Sequence, residues 1–232
     1  MNNELIIVIG AYGSGKSEYS INLAREFSQQ GEKVTLVDLD VVNPYFRSRD
    51  VRDYFIEEGI TVIAPEGEFQ HADLPMLSPR IMGTVQNFEE TVILDVGGDP
   101  AGCRTLARYV DNIKKRGYKM HLVINTKRPF TADANGITEM LEMLKFASKL
   151  NITEFVCNTN LMEHTTTDII EEGIKIIDEV AKRENIKFDT FTVLDKYIND
   201  IPRKIGGKTR LTLHYFLSKP WEMNNKVHPP GI

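Results

Sequence analysis

Gly10, Gly15, Lys16 and Ser17 follow the order G-x-x-x-x-G-K-S inside the stretch GAYGSGKSEYS, directly after the apolar run LIIVI. Residues of these types at this spacing are suited to gripping phosphate. Glycines let the backbone curl until successive N–H groups converge on an anion. A helix that starts at the lysine adds the positive end of its dipole. The pattern predicts a cradle of Gly10, Ala11, Tyr12, Gly13, Ser14, Gly15, Lys16, Ser17 and Glu18. Within it, Lys16 reaches the β- and γ-phosphates of a nucleotide and the Ser17 hydroxyl ligates Mg²⁺.

A phosphate-bound cation also needs a carboxylate. The stretch TVILDVGGDP supplies Asp95 at the end of an apolar run, which reads as the metal-side acid, contacting Mg²⁺ directly or through water. Gly97 and Gly98 then serve either close backbone approach to the γ-phosphate or an ordinary turn. A second run ends in LVDLDVVNPYFRSRD, where Asp38 and Asp40 bracket the carboxyl end of a strand. Ligands of open α/β sheets bind at that end. A spacing of two puts both carboxylates on one side, where they orient an attacking water or join the Mg²⁺ shell. Turn formation is the alternative for Asp residues at such a position. The segment beyond carries Asn43, Pro44, Arg47 and Arg49.

The elements that must position these residues alternate along the chain. Strand-like runs are expected at 5–9, 33–38, 60–64, 91–96, 119–125, 154–158 and 188–194, and helical patterns at 16–30, 48–58, 79–87, 102–115, 132–150 and 167–183. Such alternation implies a mostly parallel sheet of about seven strands with helices on both faces, a three-layer α/β/α arrangement. Runs such as TVILDV and MHLVIN are apolar nearly throughout, as strands covered on both sides must be. The stretch 65–79 reads as a long loop containing His71 and Asp73, and residues 219–232 as a proline-rich tail with Trp221 as an anchor. One nucleotide-binding domain over 1–218 is the expectation.

Composition narrows the function. The 232 residues carry a net charge of −5, against the basic excess of a nucleic-acid surface. No stretch approaches a membrane span, and the N-terminal apolar run reads as a strand rather than a secretion signal. The two cysteines, Cys103 and Cys157, are far apart and fit buried positions in a reducing cytoplasm.

Together GAYGSGKS, VDLDVVNPYFRSRD and ILDVGGDPAG resemble the MinD/ParA/CobQ-type P-loop ATPases, a group that includes the nitrogenase iron protein and dethiobiotin synthetase. More closely, the chain is similar to small CobQ/CobB/MinD/ParA nucleotide-binding domain proteins over roughly residues 4 to 195. The resemblance implies a Mg²⁺-dependent ATPase that forms a homodimer on ATP and signals to a protein partner, with unaided hydrolysis made slow by the absence of a loop lysine that this chain lacks. It assigns Asp40 to the hydrolytic water and Asp38 to the Mg²⁺ shell. It also gives Asn158, with Asn160 second, to hydrogen bonds with adenine. Guanine readers of this class use N-K-x-D, whereas VINTKRP has Asn125, Lys127 and Arg128 without the Asp, so ATP is favoured over GTP. Many relatives carry a second lysine early in the loop that reaches across the dimer. Ala11 stands there, followed by Tyr12. The charge is then met by Lys16, Mg²⁺ and an arginine such as Arg47, Arg49 or Arg104. An ATP-dependent small-molecule kinase or ligase is the alternative, with Tyr12 or the 65–79 loop lining a substrate pocket. Cys103 follows Asp95 as a cluster-binding cysteine does in the nitrogenase iron protein, but a four-iron cluster needs four thiolates.

Overall fold

The computed structural model describes residues 3–40, 52–63 and 79–216. Asn43, Pro44, Arg47, Arg49, His71, Asp73 and Trp221 lie outside these. The chain runs β1 (Leu5–Ile9), α1 (Lys16–Gln29), β2 (Val34–Leu39), α2 (Arg52–Glu57), β3 (Thr61–Ile63), α3 (Pro79–Gln86) and β4 (Thr91–Val96). It continues through α4 (Pro100–Arg104), α5 (Val110–Arg116), β5 (Lys119–Ile124), α6 (Ala134–Ser148), β6 (Glu154–Cys157), α7 (Thr167–Glu184), β7 (Lys187–Leu194), β8 (Lys204–Ile205) and β9 (Lys208–Leu213).

These nine described strands form one sheet in the order β3-β2-β4-β1-β5-β6-β7-β9-β8, parallel except for the β8–β9 pair. The first strand lies between β4 and β5, so the chain builds outward from it in both directions. The crevice beyond the carboxyl end of such a strand is where open α/β sheets take ligands. Alternation along β1 divides the core. Leu5, Ile7 and Ile9 join the cluster that includes Ile113, Leu141 and Ile177, while Ile6 and Val8 join Tyr19, Ile21, Phe55 and Phe216 on the other face. Every residue of β1, β2 and β4 is buried, which explains their apolar, unalternating sequence.

Two elements differ from the sequence expectation. The pattern over 102–115 is not one helix: α4 ends at Arg104, a 3₁₀ turn covers Thr105–Arg108, and α5 starts at Val110. Close packing draws α4 in, because a Cβ on Gly102 would lie 2.7 Å from the Gly97 Cα. Beyond β7 the sheet gains the β8–β9 hairpin, two strands more than expected. Its turn is made by Gly206 and Gly207, both at positive φ, which only glycine adopts without strain. No helix among the described residues is long and apolar enough to cross a membrane.

Candidate nucleotide-binding site

The strand β1 delivers the chain to Gly10, and the loop to Gly15 turns it into α1. Gly13 and Gly15 take φ of 73° and 86°, and the Ser14 amide donates to the Ala11 carbonyl at 2.9 Å. Two side chains and one turn from other elements brace this loop. Asn158, just past β6, donates from Nδ2 to the Ser14 carbonyl at 2.6 Å and accepts the Thr192 hydroxyl at 2.5 Å. Arg128 donates from Nε to the Gly13 carbonyl at 3.0 Å. The turn after β4 presses on it directly, since a Cβ on Gly98 would meet the Gly10 carbonyl oxygen at 1.7 Å. Asn160, the second candidate for the base, donates to the Asn158 carbonyl at 2.8 Å.

The charged groups converge at the start of α1. Lys16 is buried, and its Nζ lies 2.5 Å from Asp40 Oδ2. Burial works to lower its pKa, but Asp95, Asp40 and Asp38 outweigh that and hold it above the ordinary lysine value. Asp38 and Asp95 are register partners of β2 and β4, so the sheet itself sets their carboxylates at one level. Asp38 Oδ1 accepts the Asp40 amide at 3.0 Å. Asp95 is fully buried, and neither of its carboxylate oxygens has a hydrogen-bond donor in place. Burial pushes its pKa up to about 6, while Lys16 and the nearby Ser17 and Ser20 hydroxyls oppose the shift. The Ser17 hydroxyl is likewise buried without a partner. Among the described residues no three His, Cys, Asp or Glu groups converge in a way that holds a metal by themselves.

Cavities open on either side of the loop and share Ala11, Tyr12 and Lys16. The first, about 260 Å³, runs from the loop past Asn158 and Asn160 to Leu194, Tyr197 and Tyr215. The second, about 250 Å³, is bounded by Asp40, Gly98 and Asp99 on its polar side and by Phe130, Met140 and Met143 on its apolar side.

Residues 5–191 match the family described as "CobQ/CobB/MinD/ParA nucleotide binding domain". The chain belongs to that family. No curated protein sequence matches it. Solved structures share its fold. The FtsY cell division protein of Thermotoga maritima aligns with a TM-score of 0.53 at 19% identity, covering 82% of this chain and 61% of that one. Chloroplast FtsY of Physcomitrella patens gives a TM-score of 0.56 at 15% identity, covering 82% and 59%. The Signal Recognition Particle 54 kDa protein of Aeropyrum pernix, solved with GDP, gives 0.52 at 18%, covering 81% and 41%. The CobQ/MinD/ParA-type domain thus spans about 61% of the length of the first of these.

Within this family member, some candidates stand apart from the loop's chemistry. Cys103 is buried and donates its thiol to the Gly97 carbonyl at 3.4 Å, and burial pushes its pKa up to about 12. Such a thiol is inert at neutral pH. Asn125 Oδ1 accepts the Lys127 and Asn160 amides and shapes the backbone there. Arg104 is exposed on α4. The sequence reading missed Thr192 of β7 and Leu213 of β9, and Tyr197 and Tyr215 just beyond those strands, all of which line the first cavity. The alternation K-T-R-L-T-L, after the Gly-Gly turn, is the signal for that hairpin.

Proposed function

We propose that the protein is a Mg²⁺-dependent ATP-binding switch with slow ATPase activity, dimerising on ATP and acting on a protein partner in the cytoplasm. In this reading residues 1–218 are one domain and 219–232 a tail. The buried pair between Lys16 and Asp40 carries the proposal. The lysine that a triphosphate needs is held by the carboxylate at the end of β2, immediately before residues 41–51. Phosphate arriving at the loop takes Lys16 from Asp40. The pairing of Asp40 at the end of β2 is thereby coupled to the nucleotide.

The donor set suits Mg²⁺, a hard cation that keeps several waters and takes few protein ligands. Ser17 and Asp95 present buried oxygens that lack partners, and Asp38 lies level with Asp95. Bound there with ATP, Mg²⁺ supplies charge neutralisation at the phosphate oxygens. Lys16 donates to those oxygens, and the loop amides grip the chain of phosphates. Asp40, once released, orients the water that attacks the γ-phosphorus as the bond to the leaving oxygen breaks. Ala11 in place of a trans-acting lysine leaves part of that charge unmet, so unaided turnover is expected below about 1 s⁻¹, the low end for enzymes. An activating arginine is worth about 10³- to 10⁵-fold, which a partner or second subunit can supply. The absence of an N-K-x-D aspartate favours ATP.

The test is Asp40→Ala. It is expected to keep ATP binding and nucleotide-dependent dimerisation and to lose hydrolysis. Hydrolysis at the wild-type rate by this variant overturns the assignment. The second cavity supports the other reading, a small-molecule kinase or ligase, because it joins an apolar wall of Phe130, Met140 and Met143 to Lys16 and Asp40. Turnover raised by a small metabolite, without dimerisation, selects that enzyme.

A further inference from the structure

We infer that Tyr215, on the segment that leaves β9, is the residue that stacks on the nucleobase, and that Asn22 of α1 positions it. The inference rests on the nucleotide reading above and adds how the base is held.

The phosphate loop occupies one end of the first cavity, which leaves the other end for the base. That end is walled by Leu194 and Tyr197, at and just beyond the end of β7, and by Leu213 and Tyr215 from the C-terminal segment. The segment is fixed to the phosphate-binding helix itself. Asn22 Nδ2 donates to the His214 carbonyl at 2.8 Å, and the His214 amide donates back to Asn22 Oδ1 at 2.7 Å. One side chain thus satisfies both backbone groups of His214, as a neighbouring strand would. A turn earlier on the helix, the Glu18 carboxylate accepts the Phe216 amide.

Extended backbone sends successive side chains to opposite sides. Phe216 packs against Phe55 with ring centroids 5.3 Å apart, and His214 lies beside it at 6.4 Å. Leu213 and Tyr215 line the cavity. Asn22 follows Lys16 by six residues, roughly 9 Å along the helix at 1.5 Å per residue. A helix that grips phosphates at its first turn therefore holds the base wall through Glu18 and Asn22, within its first two turns.

The chemistry at this end is stacking. Glu18 is the one carboxylate among the described lining residues, and it is bonded to the Phe216 amide. Arg128 is bonded to Gly13. An aromatic face accepts any base, and its removal weakens binding by roughly ten- to a hundredfold.

Calorimetric titration of the full chain with MgATP and with magnesium tripolyphosphate, which has no base, tests the assignment. Tyr215→Ala is expected to lose roughly ten- to a hundredfold for ATP and nothing for tripolyphosphate, and Tyr215→Phe to bind both as wild type. Asn22→Ala is expected to weaken ATP alone, with no added loss when combined with Tyr215→Ala. Equal loss for both ligands, or none, in Tyr215→Ala overturns the stacking role. A loss that adds in the double variant overturns the positioning role. Should Tyr215→Ala not fold, the wild type decides: ATP no tighter than tripolyphosphate refutes the base wall and leaves the phosphate site standing. Wild type that takes up neither ligand refutes both readings.

Discussion

Gly98 sits where a Cβ would lie 1.7 Å from the carbonyl oxygen of Gly10, backbone against backbone. The sequence offered two roles for this glycine, approach to phosphate or a turn. Its observed role is to let the β4 turn touch the phosphate loop. Gly98→Ala is expected to cost about 3 kcal/mol or more in urea unfolding, since no flexible side chain can give way. Gly83→Ala is the control: among the described residues nothing outside its own stretch of α3 lies within 4 Å of a Cβ added there, and a gain of about 0.5–1 kcal/mol is expected. Lys16 was legible from the motif alone, but its partner was not. Asp40 was read for its own chemistry, and the ion pair with Lys16 follows from β2 lying beside β4 and β4 beside β1.

Among the elements, those bounded by strong local signals fell where the sequence placed them. The helix α7 starts after Thr166, whose hydroxyl accepts the Ile169 amide, and ends at Asn185 in the left-handed region. The helix α6 starts after Asp133, whose carboxylate accepts the Gly136 amide at 2.9 Å. Asp133→Ala is expected to lower stability by about 1 kcal/mol and Asp133→Asn by far less, both measured by denaturant melts, with nucleotide affinity unchanged. The stretch 102–115 broke because Leu106 and Tyr109 are buried while a Thr105 hydroxyl bond to the Gly102 carbonyl at 2.6 Å tightens the turn. The hairpin β8–β9 was hidden by its lysines and arginine. Arg210 reads as a loop residue in sequence, yet it lies partly buried and donates to the carbonyls of Ile198 and Ile201.

At the scale of the whole molecule, stability should respond to pH through His121. It is buried on β5, 2.9 Å from the Tyr19 hydroxyl of α1 and 4.0 Å from Glu154 of β6. Burial lowers its pKa to about 4, with Glu154 and Glu4 opposing and Lys119 and Lys187 assisting. The unfolded chain, with histidine near 6.5, binds the proton first as pH falls. Its contribution is therefore fully present above about 6.5 and is lost as pH falls toward 4. His121→Gln is expected to flatten this part of the stability–pH curve in equilibrium unfolding. Ligand should act in the other direction. MgATP at a hundred times its dissociation constant is expected to stabilise the wild type by about 2.7 kcal/mol and Lys16→Ala by nothing measurable, read by thermal shift.

The sequence by itself determined the phosphate loop, the acidic strand ends and the parallel sandwich, because each is written in neighbours. Glycine freedom, strand burial and helix periodicity act over a few residues, so a short window contains their cause. Tertiary structure alone decided that Asn158 braces Ser14 across 144 residues and that Asn22 holds His214 across 192. It also decided that Gly98 lies on Gly10. These meetings depend on strand order and on a hairpin added at the sheet's far edge, and no local pattern carries the free energy that selects them.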